Sequence, residues 1–104
     1  MVYNATITWF LIDGYGTQPA QVKIAGKDIR VDCIENSEFE AEIWTGNENG
    51  AGHYTLRDSN GGEASLHRFK DASSLEGHCN ENYSGGKGMW QIELKNPVVK
   101  KSKK

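Results

Sequence analysis

Hydrophobic residues in this chain return at every second position, in short runs broken by Gly, Asn, Asp and Ser. A period of two marks strands with one buried face. It predicts eight strands, at about 3–12, 20–25, 28–34, 38–44, 53–58, 62–69, 74–79 and 88–95. No segment carries a helical period, and only Lys70–Ser74 leaves room for a short helical turn.

Loop lengths follow from parity, because a register wrong by one residue would bury the charged face. A two-residue loop at Gly26-Lys27 sets Ile24 against Ile29 and Val22 against Val31, and Gly26 supplies the positive φ of a type II′ turn. The next strand alternates Phe39, Ala41 and Ile43 with Glu38, Glu40 and Glu42. A three-residue loop Glu35-Asn36-Ser37 then pairs Cys33 with Phe39, Val31 with Ala41 and Ile29 with Ile43, and Arg30 faces Glu42. Around the odd loop Ser59-Asn60-Gly61, Arg57 meets Glu63, Thr55 meets Ser65 and His53 meets His67. An even turn at Lys70–Ser73 sets His67 against Glu76 and Ser65 against His78.

Short strands joined mostly by tight turns predict an all-β antiparallel meander of about eight strands closed as a β-barrel, since closure removes exposed edges. A two-sheet β-sandwich is the alternative. The pattern is similar in architecture to lipocalin-type barrels, without a shared motif, so the likeness carries no function. In an up-and-down order the loops at 13–19 and 80–88 share one end, with Tyr15 and Tyr83, and the loop Thr45–Gly52 lies at the other. Trp9, Trp90, Ile92 and Leu94 fall in phase with the core. Trp44 falls out of phase with Phe39 and Ile43, and Phe10 and Ile12 share the face opposite Trp9. Either these are exposed, with aromatics suited to stacking on a sugar or docking a partner, or they belong to a core that covers both faces of the first strand.

The chain of 104 residues suffices for one domain, here 1–96, followed by a basic tail over 97–104 that is expected to be disordered. A formal net charge of −2 disfavours nucleic acid as a partner. No apolar run reaches the length of a membrane span, and the first residues read as a strand instead of a signal peptide. A cytoplasmic location follows as the expectation, with Cys33 and Cys79 as free thiols; in an exported protein they would be the first candidates for a bridge.

Candidate chemistry is sparse. His53, His67 and Glu76, with His78 beside them, would project from adjacent strands closely enough to hold Zn²⁺ or Fe²⁺; otherwise they form a polar ladder, and no cofactor is needed. Glu38, Glu40 and Glu42 resemble paired carboxylates of a glycosidase only in spacing, and read as a solvated face. Ser84-Gly85-Gly86-Lys87-Gly88 lacks the glycine and hydroxyl positions of a phosphate loop, and neither Ser65 nor Ser84 sits in a nucleophile elbow. The expectation is therefore a binding module, not an enzyme. It would engage a small-molecule ligand or a protein partner through Tyr15, Tyr83 and Trp44, with metal binding as the alternative.

Overall fold

The computed structural model describes residues 1–11, 14–80 and 88–97, excluding the side chains of residues 96 and 97. Ile12, Tyr83, Ser84, Lys87 and the tail beyond Pro97 lie outside the described residues. The fold is a closed antiparallel meander of eight strands: β1 (Val2–Leu11), β2 (Gly14–Ala25), β3 (Asp28–Cys33), β4 (Glu42–Glu48), β5 (His53–Asp58), β6 (Glu63–His67), β7 (Ser74–Asn80) and β8 (Gly88–Pro97). Each strand pairs with its neighbour in sequence, and β1 closes the ring against β8 with Trp9 opposite Trp90. The barrel of the sequence reading is therefore the observed architecture, and the sandwich is not. Among the described residues, no helix is long and apolar enough to cross a membrane.

Alternation decides what is inside. Ala5, Ile7 and Trp9 of β1 are buried, as are Ala20 and Val22 of β2, Leu56 of β5, Leu66 of β6, Leu75 of β7 and Ile92 of β8. Three indoles fill the centre. Trp9 stacks on Trp90 at 4.9 Å between centroids, and Trp44 leans on Trp90 at 5.4 Å. Each indole N–H donates a hydrogen bond: Trp9 to Gln18 Oε1, Trp44 to Glu42 Oε1 and Trp90 to the Ser65 carbonyl. Burying three large rings is thus favourable both in apolar area and in polar satisfaction.

The β2–β3, β5–β6 and β6–β7 registers agree with parity. Gly26 and Gly61, at φ 62° and 86°, take the left-handed conformations that their turns require. The stretch 70–73 is a turn with Asp71 at φ 60°, and no helical turn forms there. Both cysteines are buried and not joined in a disulfide.

Two expectations are corrected. The segment read as a loop over 13–19 belongs to β2 from Gly14 onward. Pro19 is tolerated there because its carbonyl, on the same strand edge as its missing N–H, faces Ile34 just beyond the end of β3. The β3–β4 register differs by an odd number of residues: Val31 pairs with Trp44 and Cys33 with Glu42. Trp44 is consequently inside, at 0% exposure, and Ile43 is outside. Residues 34–41 form a loop, so Glu38 and Glu40 make no carboxylate ladder with Glu42, and Arg30 pairs with Asp32 at 2.8 Å instead of Glu42.

At Gly77 the sheet bends sharply. An added Cβ would lie 1.9 Å from the Ser65 carbonyl oxygen, the same oxygen that accepts the Trp90 N–H. The His78 N–H is met by Ser65 Oγ at 3.3 Å. Gly46 is the equivalent point between β4 and β5, with 1.8 Å to the Thr55 oxygen. Glycine in these strands lets the neighbouring backbone turn inward. Gly77→Ala must push the Ser65 carbonyl away from Trp90, and a loss of about 1–3 kcal/mol is expected. Urea unfolding measures it, and a red-shifted indole emission would report the displaced ring.

Candidate functional site

Strand direction sorts the loops into two ends. One end gathers the end of β1 and the start of β2, the loop 34–41, the turn 59–61 and the start of β8; the other gathers the turns at 26–27, 49–52 and 68–73. Four places bear on function: the outer wall at the first end, the loop that covers its mouth, the outer face of β2–β7, and the histidines at the second end.

On the outer wall, Tyr15 of β2 lies opposite Phe10 of β1, with ring centroids 6.4 Å apart. Next to the Trp9–Trp90 pair, Phe10 follows Trp9 on β1 and Met89 precedes Trp90 on β8. Tyr15 is 69% exposed, Phe10 44% and Met89 48%. Three large apolar side chains thus occupy outward positions at one end of three adjacent strands. Of the residues read as a ligand-binding set, Tyr15 is at this surface and Tyr83 lies outside the described residues. Trp44 is in the core.

The mouth of the same end is covered by the loop 34–41. Phe39 packs on Trp9 at 6.3 Å, over Gly16, where an added Cβ would meet the Phe39 ring at 2.8 Å. Gln18 is the one buried polar residue among the described residues, at 2% exposure. Its amide accepts from Trp9 and donates to the carbonyls of Ile34 and Glu40 at 3.1 and 2.8 Å. Asn36 completes the loop by donating to the Thr17 carbonyl and accepting from the N–H groups of Glu38 and Phe39. Nothing in the period of the sequence singles out Gln18; its partners are a tryptophan two strand ends away and two carbonyls of a loop.

The outer face of β2–β7 forms an open groove of about 1000 Å³. Lys23, Arg30, Arg57, Glu63 and His78 are on its walls, with Thr45 and Thr55 on its floor. A second hollow of about 730 Å³, reaching Asp32, Ile43 and Asp58, shares Thr45 and Arg57 with it. Charges of both signs line these hollows, and Arg57 is tied to Glu63 at 3.7 Å.

At the second end, His53 and His67 are directly opposed on β5 and β6, and their rings meet edge to face at 4.4 Å between centroids. Glu76 is opposite His67 on β7, and it is the Glu76 backbone oxygen that lies 3.3 Å from His67 Nδ1. His78 is apart from the pair, facing Met89 of β8. Among the described residues, no three His, Cys, Asp or Glu side chains gather to enclose a metal ion. Below the histidines, burial pushes the Tyr54 phenol above its ordinary value; Glu48 adds to the shift and Arg68 opposes it. Comparison of the chain with protein families, curated proteins and solved structures gave no match.

Proposed function

We propose that this barrel is a binding module that engages a protein partner through the outward wall formed by Tyr15, Phe10 and Met89. The observation that supports the reading is the exposure of these three large side chains at one end of adjacent strands, a grouping that a surface in water does not need. An aromatic pair with a flexible thioether offers large contact area at low ordering cost and adapts to the opposing surface. The filled centre leaves recognition to the exterior, and complementarity of surfaces requires no reacting group. A small-molecule ligand in the polar groove between Arg30 and Arg57 is the second reading, favoured by the volume of that groove.

A photo-cross-linking residue in place of Tyr15 separates the two. The expected outcome is one discrete protein adduct from position 15, lost when Phe10→Ser and Met89→Ser are added, with none from the same residue at Thr55 in the groove. Equal labelling from both positions, or none from position 15, would sink the proposal.

A further inference from the structure

Beyond partner binding, and at the opposite end of the barrel, we infer that His53 and His67 form a two-point chelate for a borderline divalent cation such as Zn²⁺ or Ni²⁺. Three observations carry it. The two residues are paired across β5 and β6, so the ladder holds their Cβ atoms in fixed opposition. Their rings are 4.4 Å apart between centroids, near enough for a nitrogen of each to reach one ion at the ordinary imidazole bond length of about 2.0–2.1 Å after a small ring rotation.

The third observation concerns the proton. The Glu76 carbonyl can only accept, so its contact with His67 Nδ1 places the ring hydrogen on Nδ1 and leaves Nε2 as the nitrogen with a free lone pair. A second hydrogen bond from a ligating imidazole to a backbone carbonyl is the usual means of fixing its tautomer for a metal.

Because no third His, Cys, Asp or Glu among the described residues joins the pair, the remaining coordination positions are open to water or to a donor from outside. Imidazole ligands select the borderline metals over Mg²⁺ and Ca²⁺, which prefer oxygen. An ion bound across the two strands ties β5 to β6 and favours the folded state by mass action.

The test is thermal unfolding of chelator-treated protein with ZnCl₂, NiCl₂ or MgCl₂, together with native mass spectrometry. At ion concentrations about tenfold above Kd, Tm rises by roughly 6–11 °C with Zn²⁺ and Ni²⁺. It does not move with Mg²⁺, and one ion is retained per chain. The rise disappears in His53→Ala and in His67→Ala and persists in His78→Ala. His67 is exposed and His53 half-buried, and an unchanged Tm without metal together with an unchanged near-ultraviolet dichroism shows that the variants are folded. A rise that survives either substitution, or no rise with either ion, overturns the inference; the partner surface, far from both histidines, is untouched by that result.

Discussion

Trp44→Ala lowers the stability of the barrel by about 3–5 kcal/mol, whereas Ile43→Ala, one residue earlier, changes it by no more than about 0.5 kcal/mol. The contrast follows from the face each side chain occupies. Trp44 is fully buried, lies against Trp90 and donates its indole N–H to Glu42 at 3.2 Å. Gly62, itself buried, leaves the room that the ring fills: an added Cβ would be 3.0 Å from Trp44 Cη2. Truncation opens a void in a close-packed centre, and the rigid strands around it can close the gap only in part. Ile43 is half exposed and has little apolar contact to lose. Urea midpoints for the two variants, with unchanged m-values, measure the difference. Equal losses, or a larger loss for Ile43→Ala, would mean that β4 presents its other face to the core.

That other face is what local alternation predicts, and the reason it fails is physical. In Glu38–Ile43 the residues alternate as regularly as in any strand of the molecule, yet 34–41 is a loop. Its course is set by Asn36 and Gln18, which satisfy backbone groups that a strand would have satisfied within a ladder. Once that segment leaves the sheet, the parity of β4 is free to follow its largest side chain, and burial of an indole outweighs burial of Ile43. By contrast, the hairpins at 26–27 and 59–61 were legible because turn residues and flanking apolar positions demand the same register. Opposition of His53 to His67, and of His67 to Glu76, was legible for the same reason. The length of β2 was not, since Gly14, Gly16 and Pro19 weaken its propensity and pairing with β1 overrides them. Nor was the grouping of Tyr15, Phe10 and Met89, which joins strands that are far apart in sequence and adjacent only because the barrel closes between β1 and β8.

Gln18→Leu is expected to cost about 3–5 kcal/mol, although leucine is more hydrophobic and similar in size. The amide serves three partners at once, accepting from Trp9 Nε1 and donating to the Ile34 and Glu40 carbonyls. Leucine leaves all three without a protein partner. Each such group loses about 1–3 kcal/mol if it stays buried, and the added apolar burial recovers about 1 kcal/mol. The loop can escape part of that penalty only by lifting its carbonyls into water, which withdraws Phe39 from Trp9 and uncovers the mouth. Proteolytic cleavage within 34–41 should therefore accelerate in the same variant that loses stability. Gln18→Glu sharpens the assignment. An ionised carboxylate still accepts from Trp9 but cannot donate to either carbonyl, so it should release the loop as leucine does. If both variants keep the stability and protease resistance of the parent, the loop is held by Asn36 and Phe39 alone. If both lose them together, one buried amide joins the tryptophan core to the cover of the end that also carries Tyr15 and Phe10.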